Sequence, residues 1–259
     1  MPTIRQPAVA GQFYPADAVE LQKMLVSFVA GTVNAGVPKM LIVPHAGYIY
    51  SGAVAGSAYA YLQQPNAIRR VVLLGPSHRV ALRGMAVPSV DAFVTPLGAI
   101  RIDTVLRDTV ATLPGVMMHD TPHAQEHALE VQLPFLQMIL GDNFSLLPVV
   151  VGDAAPETVA AVLEAVWGGP ETLIVISTDL SHYLPYASAQ QVDKATSNMI
   201  ETMQVDIVPE QACGAHPLNG ALLAARRHGL QVACVALANS GDAAGGRDRV
   251  VGYGAYVVA

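Results

Sequence analysis

Charge is scarce in this chain, and so are cysteine and tryptophan. Only 13% of the 259 residues are charged, against 52% hydrophobic. That balance excludes a self-repelling disordered chain and supports a sizeable core. Basic residues number 14 and acidic ones 20, for a formal net charge of -6. Most arginines sit in local pairs (Arg69-Arg70, Arg226-Arg227, Arg247 with Arg249) rather than in a stripe, so no nucleic-acid partner is expected. The two cysteines, Cys213 and Cys234, form no CxxC, which excludes a disulfide framework and a zinc ribbon. A cysteine with a chemical role here acts singly. Long hydrophobic runs are missing too: residues 40–43, 71–74, 146–151 and 173–176 are each bounded by Pro, Gly or polar residues. None is long enough for a bilayer. Residues 1–20 carry one Arg and no apolar stretch before Gly11, Pro15 and Asp17, unlike a secretory signal. A cytoplasmic chain without a membrane partner is the expectation.

What is present is an alternation of helix and strand patterns. Leu21, Met24, Leu25 and Phe28 share one helical face, and residues 39–43 form a buried type of strand ending in Pro44-His45-Ala46-Gly47. The small residues of 51–61 then suit a helix packed close to a sheet. Two more strands end on polar groups: 70–74 runs into Gly75-Pro76-Ser77-His78, and 172–177 into Thr178-Asp179-Leu180-Ser181-His182. Helices are expected at 103–113, 125–140, 156–167, 187–203 and 218–228, and further strands at 144–151, 232–237 and 250–258. Residues 240–246 read as a glycine-rich turn between the last two strands. With no linker and no repeat, the reading is one α/β domain over residues 1–259, with a mixed, largely parallel sheet flanked by helices.

Ligands of open α/β sheets collect outside the carboxyl ends of the strands. His45, His78 and the pair Asp179 and His182 all fall there. Buried together, such groups would each cost about 1–3 kcal/mol unpaired, and one metal ion would satisfy several. Imidazole suits iron, copper and zinc, whereas magnesium and calcium prefer oxygen. The run from His119 to His127 is dense in donors, though a solvated helix entry explains His119 and His123 equally well. Glu126 and His127 are placed beside the site, as groups that orient ligands or handle protons. Cys213 lies in a turn before a helix whose N-terminus favours a thiolate if near enough. Its local sequence reads equally as a ligand or as a small buried hydrophobe. Cys234, inside a strand, reads as core; His216 as a brace for its turn; His228 as a cap at a helix end.

Five segments taken together resemble the Memo family: Pro44-His45-Ala46-Gly47-Tyr48, Gly75-Pro76-Ser77-His78, Glu126-His127 with Leu133-Pro134, Ser177-Thr178-Asp179 with His182, and Cys213-Gly214 with His216-Pro217. Ala10-Gly11-Gln12-Phe13-Tyr14-Pro15 is similar to that family's opening signature. The resemblance implies a fold shared with class III extradiol ring-cleavage dioxygenases, which hold non-haem iron(II) by two histidines and a carboxylate. In Memo-like proteins cysteine replaces the carboxylate. The implied metal ligands are therefore His45, His78 and Cys213, with His182 as acid/base and Asp179 its neighbour. It also implies association with a radical-SAM protein in the AmmeMemoRadiSam set.

A thiolate donates more electron density than a carboxylate and is itself oxidisable, so ring cleavage does not follow from the fold. The leading expectation is an oxidoreductase using iron(II) or copper on an unidentified small molecule. The alternatives are a non-catalytic metal-binding protein serving a radical-SAM assembly, and a zinc hydrolase with Glu126 or His182 as base. Zinc ranks below iron and copper because no HExxH is present.

Overall fold

The four apolar runs become the four central strands. In the computed structural model, which describes residues 3–29, 36–62 and 67–259, they are β2 (Met40–Val43), β3 (Arg70–Pro76), β8 (Ser145–Val151) and β9 (Thr172–Ser177). They pair in parallel in the order β2-β9-β3-β8. Near-continuous apolar runs suit strands covered on both faces. Alternation divides them between two cores: Leu41, Val43, Val71 and Leu73 pack on one side, Met40, Ile42, Val72 and Leu74 on the other.

The remaining strands are β1 (Ile4–Arg5), β4 (Met85–Val87), β5 (Ala92–Thr95), β6 (Gly98–Arg101), β7 (Val116–Met118), β10 (His182–Leu184), β11 (Val232–Asn239) and β12 (Val250–Val258). Strand β12 runs antiparallel to β2 and also pairs with β10 and β11, while β4 and β7 extend the other edge. A separate three-stranded sheet has the order β1-β5-β6. The sheet is mixed and largely parallel at its centre, as the strand-helix alternation predicts.

Helices cover it: α1 (Ala18–Phe28), α2 (Tyr48–Tyr59), α3 (Thr104–Val110), α4 (Thr121–Ala124), α5 (Leu133–Leu140), α6 (Pro156–Ala165), α7 (Tyr186–Glu201), α8 (Ala215–Arg227) and α9 (Ser240–Ala243). The helix α2 packs on β12, β11 and β2, as its small residues suggest, and its two glycines, Gly52 and Gly56, also admit Phe28 of α1, which a Cβ at either position would strike. Among the described residues no helix is long and apolar enough to cross a membrane.

Three expectations need correction. The helix expected at 125–140 starts only at Leu133, after a 3-10 turn at Glu130–Gln132. A continuous helix would place Pro134 in its interior, against the carbonyl four residues back, whereas in the first turn proline costs nothing. This frees Glu126 and His127 from helical geometry. Residues 240–246 are not wholly irregular, because Asn239 and Asp242 form a capping box that starts α9. The short strands β1, β4, β5, β6, β7 and β10 were not expected from the pattern.

Candidate metal centre

Three of the central parallel strands each deliver a polar residue two positions beyond their last residue. His45 follows β2, His78 follows β3 and Asp179 follows β9. These join His127, His182 and Cys213 on the wall of one cleft of about 1070 Å³. Cys213 immediately precedes Gly214, the N-cap of α8. Glu126 lies behind the wall, buried. All seven candidate residues therefore come to one place, six on the surface of the cleft and one supporting it.

The hydrogen bonds around His45 leave its ring a single tautomer. The amide nitrogen of Gln132 donates to the Pro44 carbonyl at 2.8 Å and to Ser177 Oγ at 2.9 Å, while Gln132 Oε1 accepts from Tyr59. Ser177 spends its only proton on the Ala128 carbonyl, at 2.7 Å. Ser177 Oγ can then only accept from His45 Nδ1, 3.0 Å away. With Nδ1 protonated, His45 Nε2 is a bare lone pair. Burial first, and then the neighbouring His78, hold the His45 pKa well below the ordinary value, so the ring is neutral at pH 7.

His78 is fixed by Glu126. The carboxylate accepts from the His78 main-chain N–H at 2.6 Å, from its Nδ1 at 2.8 Å and from the Ala128 N–H at 3.0 Å. Burial alone would raise this carboxyl, but its bonds to His78, the His78 ring charge and the Ala128 N–H prevail and bring it to about 2. An ionised carboxylate only accepts, so Nδ1 of His78 carries a proton and Nε2 is the ring nitrogen left open to a ligand. This is the orientation that carboxylate partners impose on metal-binding histidines.

His127 stacks on His78, with ring centroids 4.7 Å apart at 19°. Its Nδ1 is buried and has no hydrogen-bond partner among the described residues; a Glu126 carboxylate oxygen is 3.4 Å away. Burial, then His45 and His78, lower its pKa to about 4. One ring nitrogen from each of His45, His78 and His127 lies within 4.8 Å of the others. His127 is thus nearer the centre of the cluster than a purely supporting role requires.

Cys213 Sγ sits 3.2 Å from His45 Nε2 and accepts from the Asp179 N–H at 3.3 Å. Burial, followed by the Asp179 carboxylate, raises the thiol well above its usual range. The N–H groups of Asp179 and Gly214 and the Thr178 hydroxyl pull the other way without overcoming burial. Cys213 is a thiol here, and a bound cation is what would deprotonate it. Asp179 Oδ1 accepts from the His45 N–H at 2.7 Å, and burial raises the Asp179 pKa. The bare Nε2 of His45, the Nε2 of His78, a buried unpartnered nitrogen of His127 and the Cys213 thiol form a donor set that fits iron, copper or zinc.

The family model described as "Memo-like protein" matches residues 5–257. The chain belongs to the Memo family. A MEMO1 family protein of Methanopyrus kandleri is 36% identical, over 98% of both chains. One from Aquifex aeolicus is also 36% identical, over 96% of this chain and 97% of the relative. The crystal structure of an uncharacterized Escherichia coli K12 protein superposes with a TM-score of 0.54 at 11% identity, covering 83% of this chain and 98% of that one. It shares the fold.

The N-terminal segment from Arg5 to Phe13, which runs into the signature at Ala10–Pro15, acts as a strap behind the site, a role that motif density did not indicate. Arg5 donates to the carbonyls of His123 and Glu126 at 2.6 and 2.8 Å, and to Glu130 at 2.8 Å. Phe13 packs on the His127 ring, with centroids 4.7 Å apart. The other single histidines and Cys234 lie elsewhere. His216 Nδ1 contacts the Ala154 carbonyl at 3.0 Å, bracing its turn, and His228 is the C-cap of α8, paired with Glu164. Cys234 is half-buried in β11.

His123 is not a solvated entry residue: it is 3% exposed, with Nε2 on the Ala86 carbonyl. Burial brings its pKa down to about 4. A folded pKa below the unfolded one means that the unfolded state binds the proton first, so this contribution is full above about pH 6.5 and is lost as pH falls toward 4. At 1.36 kcal/mol per unit, that is on the order of 3 kcal/mol. Urea unfolding at pH 7 and pH 4.5 is expected to show a smaller acid loss in His123→Gln than in wild type. Equal losses would remove His123 as a source of acid sensitivity.

Proposed function

We propose that this Memo-family chain binds one redox-active ion, iron(II) or copper, through His45, His78 and Cys213, and works as an oxidoreductase on a small molecule held in the cleft. The observation that carries this is the pairing of Cys213 Sγ with the bare Nε2 of His45 at 3.2 Å. That separation is shorter than one metal–sulfur plus one metal–nitrogen bond, about 2.3 and 2.0 Å, so both atoms can reach one ion. Iron or copper bound there would supply Lewis acidity and electron transfer. The protein's own part is more definite. Ser177 and Glu126 hold the two rings with Nε2 forward, Asp179 anchors the His45 main chain, and His182, which lines the same cleft, moves a proton to or from the substrate.

A second reading, a zinc hydrolase, draws support from His127, because three histidines are also a zinc donor set. Anaerobic reconstitution separates the two. Wild type, His45→Ala, Cys213→Ala and His127→Ala are loaded with iron(II), copper(I) or zinc(II) and dialysed against a chelator. The first reading expects about one ion per wild-type chain, and retention at least about tenfold weaker in His45→Ala and Cys213→Ala. Equal retention by Cys213→Ala removes the thiol from the set. Loss in His127→Ala alone, with zinc at full occupancy, favours the hydrolase. Metal retained without oxygen uptake on a panel of catechols points to a non-catalytic metal holder.

A further inference from the structure

The same cleft carries a cation with no hydrogen-bond or ion-pair partner among the described residues. Arg249 lines the cleft one residue before β12. Its guanidinium lies over the Tyr183 ring, 5.0 Å from the centroid, and makes no hydrogen bond or ion pair among the described residues. Glu210 lines the cleft as well, yet forms no ion pair with it. With one face on an aromatic ring, the guanidinium keeps its N–H edge free, the edge that takes a carboxylate through two parallel hydrogen bonds.

Tyr183 is held there at a cost. It is a non-glycine residue at φ 60, it is 62% exposed, and it forms the bulge where three residues of β10 oppose two of β12. A bulky side chain in the left-handed region persists only where its surroundings impose it, and such residues concentrate at binding sites. The bulge also separates the directions of neighbouring side chains. His182 lines the cleft with the metal-centre residues, while Tyr183 supports Arg249 at its entrance. Phe13 and Tyr50 add aromatic lining to the same cleft.

We propose that Arg249 and Tyr183 form a carboxylate subsite, and that the cleft takes a small, flat organic acid whose carboxylate pairs with Arg249 while its other end faces His45, His78 and His182. This rests on the reading of the cleft as a substrate site, but recognition of the acid does not require the metal. The experiment therefore uses metal-free protein, with benzoate and its neutral isostere benzamide as probes, followed by ligand-observed NMR and calorimetry.

Wild type is expected to bind benzoate at millimolar concentrations and benzamide more weakly, and R249Q to bind benzoate about tenfold less well with benzamide unchanged. Arg249→Lys, which keeps the charge and lacks the fork, should recover part of the loss; if R249Q proves insoluble, a reduced benzoate affinity in Arg249→Lys decides. No benzoate binding by wild type, equal affinity for the two probes, or benzoate affinity unaffected by the substitutions overturns the subsite. Iron(II) retention by R249Q, measured alongside, should equal that of wild type. If wild type holds no metal but discriminates benzoate through Arg249, the metal reading fails and the subsite stands. The reverse result sinks the subsite alone.

Discussion

Glu130→Ala is expected to destabilise the protein by about 3–5 kcal/mol, the range for removing one member of a buried ion pair. Glu130 is fully buried and Arg5 is 7% exposed. The carboxylate accepts from Arg5 Nη1 and the Ala8 N–H, both at 2.8 Å, from the Val9 N–H at 3.0 Å and from the Tyr14 hydroxyl at 2.6 Å. Truncation removes the acceptor that all four donors share; three of them, on Arg5, Val9 and Tyr14, belong to buried residues, and Arg5 Nη1 keeps only the Gln6 carbonyl at 3.5 Å. Urea unfolding should show a lower midpoint at unchanged slope. Glu164→Gln is the control: its partner His228 and Glu164 itself are each 34% exposed, and the change should cost about 0–1 kcal/mol. If the two variants lose similar stability, Glu130 is not the tie that holds the N-terminal strap.

Glu126→Gln is expected to weaken metal binding by about 10–100-fold while leaving the fold intact. An amide has one accepting oxygen where the carboxylate has two, and two His78 donors converge on it from different sides. In one orientation the amide NH₂ faces the His78 main-chain N–H, donor against donor. In the other it faces Nδ1, which moves the ring proton to Nε2 and withdraws the lone pair from the cleft. Chelator competition with iron(II) under anaerobic conditions measures the affinity, and ring nitrogen shifts report the tautomer. Undiminished affinity together with an unchanged His78 tautomer would show that Glu126 does not set the ligand.

The parts of this structure legible in the sequence are those encoded by continuous stretches of chain. Strands β2, β3, β8 and β9 announce themselves as apolar runs, and the residues two positions past their ends follow from the strands. Strands of two to four residues, such as β1, β4 and β7, are too short to establish a period of two. Exposed Met117 and Met118 in β7 further blur the pattern. Cys213 gained its place from the family resemblance, because its local sequence suits a buried turn equally well. The supporting polar network was hidden for a different reason. Ser177 and Gln132 are 45 residues apart, and Arg5 and Glu130 are 125 apart. Read singly, each has the composition of a surface residue, and only the closed fold shows that they satisfy one another.

The strand order has a consequence for how the site comes into being. Strand β12 is the last in the chain, yet it lies between β2 and β10, pairing Val258 with Met40 and Val251 with His182. Pairings across such sequence separations form late, because a large loop must close before any contact rewards it. The proposed donors at positions 45, 78 and 213 have no chelating spacing in an extended chain. A nascent or unfolded chain should therefore have little hold on a metal ion. Loading is expected to follow closure of the sheet, through the open cleft, so metal supplied during synthesis should offer no advantage over metal supplied to the finished protein.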